Sequence, residues 1–479
     1  MRKKIALQVV ASNLNLLIHF VLTLVLARLL TPEDIGIFSM SAVLIGIAHV
    51  FRDFGVTSYI KRVRVLDDQT IRTARTVLVI ASWSVGLLMH LSADLWASFF
   101  NDARVAEVVV VLAMGFLLIP LGSIASSILA REVQVAKTAT VALLSALVYF
   151  LVSVGFALSG FDHMTMAWAN FVNIAFSGIA LNVVLRRRLP WKPSLKGWRS
   201  VVSFGTGNML ASLVEEINLA IPDVALGRLS SPTAVGLFSR ANATVGMTEK
   251  LLQPPINYFT LPYMAKVHHA DGDVGEVFVR LSSIIQCLAF PALAWIAIMA
   301  PDIIYTLYGA QWMPAASAVP WLCVAGGLSI WFALTTPTLN GVGKPYAAIW
   351  PLVVIVFGKI AGVLLLFDGT LAGFAFAMAI GEILAVPVYL WTLKRFARVD
   401  VGNWARLSAK ALAMLVPLNA FLYLLFQTMP NDWPAALRVL VTMPISAVLH
   451  AGLYLAVNLP ISGEARILTK NLWFRSNSP

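Results

Sequence analysis

The sequence predicts an all-α polytopic membrane protein with about fourteen transmembrane helices, and three observations support this. Of the 479 residues, 59% are hydrophobic and only 12% are charged, whereas a typical soluble domain carries roughly 25% charged residues. Apolar runs of the length that a bilayer crossing requires, about 20 residues, follow one another along the chain. Lys and Arg are concentrated in alternate connections between those runs, as the positive-inside rule demands.

Charged, Pro-rich and Gly-rich interruptions divide the chain into the predicted spans. No connection between spans exceeds about 20 residues, so the sequence excludes a soluble catalytic or nucleotide-binding domain between them. The spans cover residues 5–30, 36–60, 76–93, 106–130, 138–159, 164–185, 201–226, 234–258, 277–300, 316–338, 346–367, 370–393, 408–427 and 435–458.

The distribution of basic residues predicts the orientation. With the amino terminus inside, 27 of the 35 Lys and Arg residues fall in cytoplasmic segments, and only Arg104, Arg228 and Arg438 fall on the outer side. Both termini are therefore expected in the cytoplasm. The net charge of +12 then reflects topology and contact with anionic lipids, and no nucleic-acid partner is expected.

An internal repeat links two parts of the chain. Residues 26–39 and 226–239 share seven identities in fourteen positions, including Pro32 with Pro232 and Gly36 with Gly236. Chance similarity between two span-turn-span joints is the alternative. Because an even number of crossings separates the copies, the repeat is parallel and predicts two six-helix lobes around a central cavity. The predicted domains are residues 1–200, residues 201–400, and residues 401–479 with two extra helices and a cytoplasmic tail.

Polar residues inside the spans indicate a water-filled cavity, because each is costly in lipid without a partner or water. Span 1 places four of them on one helical face, and span 7 repeats the pattern. They are Ser12, Asn15, His19 and Thr23 in span 1, and Asn208, Ser212, Glu215, Glu216 and Asp223 in span 7.

Further ionisable residues lie in other spans. Adjacent opposite charges such as Arg52 with Asp53, or Glu249 with Lys250, are equally explained as local compensation near a span end. For Lys359 and Glu382, which lie near mid-span, a functional cavity is favoured. The sequence has no P-loop, HExxH or metal-spaced cluster, and Cys287 and Cys323 lie in apolar runs, so no cofactor, metal or disulfide is expected.

Two short motifs resemble a known family. Residues 27–36, followed by Phe51-Arg52-Asp53-Phe54-Gly55-Val56 and Lys61-Arg62, are similar to the opening of bacterial polysaccharide-transporter (Wzx-type) flippases. Residues 235–241, with Gln253-Pro254-Pro255 and Leu261-Pro262, are similar to the start of their second half. These proteins belong to the multidrug/oligosaccharidyl-lipid/polysaccharide (MOP) exporter superfamily.

The resemblance implies a non-enzymatic translocator. It would move polyprenyl-diphosphate-linked oligosaccharide across the bacterial cytoplasmic membrane by alternating access, for O-antigen, exopolysaccharide or lipopolysaccharide assembly. Polysaccharide polymerase and chain-length machinery are its implied partners. In this setting the diphosphate would contact Arg52, Arg240, Lys250 and Lys359, the sugar would contact Asn15, His19, Asn208 and Glu215, and Glu215, Glu216 or Glu382 would carry a coupling ion.

Two other function classes remain open at this stage. An ion-coupled drug or small-molecule exporter would have the same architecture, and the in-span basic residues only modestly favour an anionic substrate. A membrane glycosyltransferase or polymerase acting on the same lipid usually needs a large outer loop or an acidic catalytic pair, and the outer connections here are short.

Overall fold

The computed structural model describes the backbone of residues 2–53, 55–186, 189–190, 192–430 and 432–456, and the side chains of residues 10–52, 55–186, 189–190, 192–202, 212–253, 256, 259–430 and 432–453. Within these residues every secondary-structure element is a helix, which confirms the predicted all-α class. The chain forms two compact units, Met1–Ser239 and Arg240–Pro479.

The first unit is organised around α5, which packs against both α4 and α7, while α6 packs against α1 and α7. Glycines allow these helices to approach closely: a Cβ at Gly122 would lie 3.0 Å from Cα of Gly178. The helices of this unit are α1 (Arg2–Leu29), α2 (Pro32–Asp53), α3 (Val56–Arg62), α4 (Asp68–Phe100), α5 (Arg104–Arg131), α6 (Val135–Leu158), α7 (Thr165–Leu185) and α8 (Trp198–Leu229).

The ninth helix, α9 (Pro232–His269), begins in the first unit and continues into the second. There α12 packs against α10 and α15, and α14 packs against α15, which is the arrangement of α5, α4, α7 and α6 in the first unit. The remaining helices are α10 (Val274–Ile298), α11 (Ala300–Tyr308), α12 (Val319–Trp331), α13 (Thr335–Gly341), α14 (Ile349–Leu366), α15 (Leu371–Phe396), α16 (Val401–Thr428) and α17 (Ala435–Ala456).

The last two helices are held to the second unit by polar contacts. The indole of Trp404 on α16 is fully buried and donates to the Ser282 hydroxyl at 3.2 Å. On α17, Arg438 forms an ion pair with Asp302 at 2.7 Å, and Thr442 accepts a hydrogen bond from the Trp295 indole at 3.2 Å. These contacts fix two helices whose apolar faces otherwise contact lipid.

Twelve helical segments among the described residues are long and apolar enough to cross a membrane. They coincide with spans 1–6 and 9–14 of the prediction. The 32-residue α8 and the 38-residue α9 coincide with the seventh and eighth predicted spans, 201–226 and 234–258. The polytopic architecture is therefore confirmed.

The prediction of a single span at 36–60 is wrong in detail. The helix stops at Asp53 and restarts at Val56 as the short α3, because Gly55 adopts a left-handed conformation with φ of 69°. Such a conformation interrupts a right-handed helix and is least costly for Gly. In the second copy of the repeat, α9 runs without interruption through the equivalent residues.

The repeated Pro and Gly residues meet each other at the start of α2 and α9. A Cβ on Gly36 would overlap the carbonyl oxygen of Pro232, and a Cβ on Gly236 would overlap the carbonyl oxygen of Pro32. The two helices thus cross in backbone contact through equivalent residues, with each helix beginning on its Pro, where a missing N–H costs nothing.

Candidate functional site: a groove in the first unit

Helices α2, α3, α5 and α7 enclose a groove of about 410 Å³, a size typical of small-ligand sites. An ion pair from Arg104 to Glu33 at 2.6 Å joins the beginnings of α5 and α2, and Arg131 joins the end of α5 to α3, which follows α2 along the chain. The lining residues are Ile45, His49, Arg52, Thr57, Lys61, Val111, Leu112, Gly115, Phe116, Ile119, Gly122, Ser123, Ser126, Ser127, Asn170, Phe171, Ile174, Ser177, Gly178 and Leu181.

One end of the groove, here called the polar end, carries two cations and a set of hydroxyls. Arg52 comes from the last turn of α2, and Lys61 comes from α3 beyond the break at Gly55. The hydroxyls at this end belong to Thr57, Ser123, Ser126, Ser127 and Ser177. Two cations beside hydroxyl groups form a suitable environment for an anion.

The other end, here called the apolar end, is lined mainly by aliphatic and aromatic side chains. They are Ile45, Val111, Leu112, Phe116, Phe171 and Ile174. His49 lies between the two ends, with its ring 5.5 Å from the Phe116 ring in an edge-on arrangement. From Val111 to Ser127 the groove follows α5 for about 24 Å, at a rise of ~1.5 Å per residue.

Arg131 at the end of α5 positions α3. Its guanidinium donates hydrogen bonds to the carbonyl oxygens of Ile60 at 2.8 Å and Val63 at 2.6 Å, the unsatisfied acceptors at the end of that short helix. Val56 and Ile60 are fully buried on the opposite face of α3. Lys61 is therefore held on the groove side. Neither Lys61 nor Arg131 lies in a predicted span, so the cost of a charge in lipid does not single them out in the sequence.

A second polar cluster lies within the second unit. The Lys359 ammonium is 3.3 Å from the Glu382 carboxylate, and both side chains are nearly buried. Glu249 lies close to this pair and accepts a hydrogen bond from Ser329. The two predicted roles, a diphosphate contact for Lys359 and a coupling ion for Glu382, thus fall on the two partners of one ion pair.

The other two predicted cations, Arg240 and Lys250, also belong to the second unit. The Arg240 guanidinium stacks on the buried Trp312 ring, with its carbon 5.7 Å from the ring centre, and Tyr308 lies beside it. Lys250 is exposed.

The predicted sugar and coupling residues of α1 and α8 lie outside the groove. Asn15 is half-buried, and His19 is exposed with its ring 5.9 Å from that of Tyr149. Glu215 is exposed, whereas the Glu216 carboxylate lies against α2, where a Cβ at Gly46 would be 2.5 Å from Oε2. The side chain of Asn208 is outside the described residues. Among the predicted site residues whose side chains the structure describes, only Arg52 lines the groove.

The fold and groove define a class: a multi-pass, all-α membrane protein with two similarly arranged units and a polar groove among its spans. The profile of the polysaccharide biosynthesis protein family matches residues 25–317, more than half of the chain. The chain therefore belongs to this family, and the resemblance noted in its sequence is confirmed.

Individual relatives have low sequence identity to this chain but match most of its length. The chain is 22% identical to the teichuronic acid biosynthesis protein TuaB of Bacillus subtilis over 84% of this chain and 80% of that protein. It is 23% identical to the succinoglycan biosynthesis transport protein ExoT of Rhizobium meliloti over 70% and 67%. It is 22% identical to the lipopolysaccharide biosynthesis protein WzxC of Escherichia coli over 63% of this chain, a match that spans 62% of that protein.

Solved structures share the fold at low identity. The inward closed conformation of the lipid II flippase MurJ superposes with a TM-score of 0.74 at 10% identity, covering 94% of this chain and 99% of that one. An inward-facing multidrug resistance MATE family transporter of the MOP superfamily gives 0.59 at 16% identity, covering 80% and 95%. These likenesses establish a MOP-type fold.

Proposed function

We propose that this protein is a flippase that moves a polyprenyl-diphosphate-linked oligosaccharide across the bacterial cytoplasmic membrane for O-antigen, exopolysaccharide or lipopolysaccharide synthesis. The observation that carries the proposal is the groove of the first unit, where Arg52 and Lys61 face the same space among membrane-spanning helices. Membership of the polysaccharide biosynthesis family supports the substrate class. The protein would move this lipid without altering it chemically.

The polar end suits the diphosphate, which cannot cross hydrocarbon unaided because burying unpaired charges is prohibitively costly. Arg52 and Lys61 would supply the compensating charge, and Ser126 a hydrogen bond. Ser123 and Ser127 already donate to main-chain carbonyls one turn back, at 3.0 and 2.8 Å, and would serve as acceptors for water or sugar hydroxyls.

Several finer features belong to the same proposal. The orientation has both termini in the cytoplasm, which places the polar end of the groove at the inner leaflet. The mechanism is alternating access, with residues 1–200 and 201–400 as the two lobes and residues 401–479 as an appendage. Arg240, Lys250 and Lys359 remain candidates for diphosphate contact, Asn15, His19, Asn208 and Glu215 for sugar contact, and Glu215, Glu216 and Glu382 for ion coupling.

The deciding experiment compares cells with and without the gene. Polyprenyl-diphosphate lipids are quantified by mass spectrometry, and the sidedness of their oligosaccharide is probed in intact spheroplasts. A flippase predicts completed repeat units that accumulate facing the cytoplasm when the gene is absent. If the repeat units reach the outer face but stay unpolymerised, the protein acts after the flip, and if no lipid-linked saccharide accumulates, a drug or small-molecule exporter becomes the better explanation.

A further inference from the structure

The groove of the first unit changes character along its length in a way that a sugar site does not require. Its polar end holds both cations, whereas Asn170, with His49 nearby, is the polar side chain of the apolar end among the described lining residues. A saccharide placed there would lose hydrogen bonds to water for most of its hydroxyls without replacement. A hydrocarbon chain placed there would lose only contact with water or lipid.

The volume of the groove suits one hydrocarbon chain. The groove measures about 410 Å³ in all. Beside it α5 and α7 pack closely, since a Cβ at Gly122 would lie 3.0 Å from Cα of Gly178 and a Cβ at Gly115 would lie 3.0 Å from Cδ1 of Ile174. This volume accommodates a single flexible chain attached to a phosphate group, whereas the two acyl chains of a glycerophospholipid need more apolar space than one chain does.

We propose that this groove binds a prenyl phosphate lipid together with the first part of its chain. The phosphates lie at Arg52 and Lys61, and the isoprene units next to them lie along Phe116 and Ile174. The inference rests on the proposed function and sharpens it: the first unit holds the carrier lipid by its phosphate and proximal chain, which leaves the sugars outside the apolar end.

A phosphate site at the polar end gives the break at Gly55 a role. An uninterrupted helix, such as α9 in the second copy, would carry Thr57 and Lys61 onward along the axis of α2. The break, together with the hydrogen bonds from Arg131, turns α3 so that Lys61 closes the polar end of the groove. The second copy has no equivalent break, so the two copies differ at the position that brings a second cation to the phosphates.

The test measures binding directly on the full-length protein purified in detergent. The probe is tritiated geranylgeranyl diphosphate, competed by unlabelled inorganic diphosphate and by dioleoyl phosphatidic acid. Lys61→Gln removes a cation from the polar end, and Arg62→Gln is its control, one residue away and outside the groove lining. Ile174→Trp fills the apolar end, and Ile179→Trp is its control, on the same helix and 62% exposed.

Probe binding should depend on both the polar end and the apolar end of the groove. Lys61→Gln and Ile174→Trp should each weaken probe binding by about tenfold or more, since the first removes a charged hydrogen bond to the phosphates and the second occupies the space in which the chain would be buried. The two control variants should bind as the wild type does. Inorganic diphosphate and phosphatidic acid should compete poorly, because the first lacks the chain and the second has two.

Three outcomes would overturn the proposal. Full binding by Ile174→Trp would place the chain elsewhere, equal competition by inorganic diphosphate would leave only a free-phosphate site, and equal competition by phosphatidic acid would indicate a general lipid-headgroup site. A melting curve on each variant excludes misfolding, and Ile45→Phe fills the same end if Ile174→Trp does not fold. The sidedness experiment in cells tests the flippase function separately, so failure of the chain site alone would appear as normal flipping with unaltered binding by Ile174→Trp.

Discussion

The Lys359–Glu382 pair joins α14 to α15 in a nearly buried environment, with side-chain exposures of 13% and 10%. Two buried opposite charges compensate each other, but removing one leaves the other unpaired in a medium of low dielectric. We expect Lys359→Met alone to destabilise the protein by about 3–5 kcal/mol, and Lys359→Met with Glu382→Leu to recover most of that loss. The melting temperature in detergent measures both effects.

The same pair of variants separates a structural role from a functional one. If the double variant melts like the wild type and still flips lipid, the pair serves only to hold the two helices together. If it melts normally but has lost transport, at least one partner acts in the transport cycle. A single variant as stable as the wild type would contradict the assignment of a buried ion pair.

Asp102, in the turn between α4 and α5, provides a residue-scale test of pH dependence. The hydrogen bond from the Arg104 guanidinium at 2.8 Å, opposed in part by burial, lowers the pKa of Asp102 below its ordinary value of 3.8. A lowered pKa in the folded state adds stability above that ordinary value, and this stability is lost as the pH falls through the folded-state pKa.

We therefore expect the melting temperature of the wild type to fall more than that of Asp102→Asn between about pH 6 and about pH 3. The effect should stay within about 1 kcal/mol, since Arg104 is 40% exposed and solvent screens the pair. Parallel curves for the two proteins would show that the Asp102–Arg104 contact contributes no measurable stability.

At the scale of elements, the crossing of α2 and α9 depends on two glycines. Because a Cβ at Gly36 or Gly236 would overlap a carbonyl oxygen of the other helix, Ala at either position must push the helices apart. We expect Gly36→Ala and Gly236→Ala each to lower the stability by about 1–3 kcal/mol, as overpacking does in other interiors.

Gly246 provides the matched control on α9. Among the described residues, no heavy atom lies within 4 Å of the Cβ that Ala would add there, so Gly246→Ala should be neutral or should stabilise the helix by up to about 1 kcal/mol. Thermal unfolding of the three variants compares the positions. If Gly36→Ala unfolds at the same temperature as the wild type, the two helices do not cross in backbone contact.

The break between α2 and α3 is the second element-scale test. Replacing Gly55, whose φ is 69°, with Ala costs about 1 kcal/mol in the left-handed conformation and favours a continuous helix. A continuous helix would draw Lys61 away from the groove. We expect Gly55→Ala to weaken geranylgeranyl diphosphate binding and Gly55→Asn, which tolerates the left-handed conformation better, to retain more of it. Equal binding by both variants would disconnect the break from the site.

At the scale of the whole molecule, composition and hydrophobic run length predicted the class and the number of long helices, because both depend on how the chain partitions between lipid and water. The repeat could also be recognised in the sequence. Pro32 and Gly36 recur as Pro232 and Gly236, at positions where a helix begins and another backbone approaches. Local conformation was less accessible: Gly55 lies inside an otherwise continuous apolar run, and nothing in that run distinguishes a left-handed Gly from a helical one.

The site depended on information that a single sequence does not contain. Arg52 was identified because a charge within a span is costly, but Lys61 lies beyond the span and is made part of the groove by Arg131 and the Gly55 break. The sequence also does not show which charged residues on different helices form a pair. Lys359 and Glu382 are predicted separately from their cost in lipid, whereas the structure brings their charges within 3.3 Å of each other.

The orientation of the molecule gives the last prediction. The positive-inside rule places Ser159 outside and Lys344 in the cytoplasm, and both are exposed in connections between helices. Cys287 and Cys323 are buried, so replacing both with Ala gives a background free of native thiols. We expect a membrane-impermeant maleimide to label Ser159→Cys in intact cells and Lys344→Cys only after permeabilisation. Labelling of both positions in intact cells would mean an even number of crossings between them, so that one of the helices from α7 to α13 does not span the membrane; α8 and α9 would be examined first. Labelling of Lys344→Cys alone would mean that the whole topology is inverted and that the polar end of the groove lies at the outer leaflet.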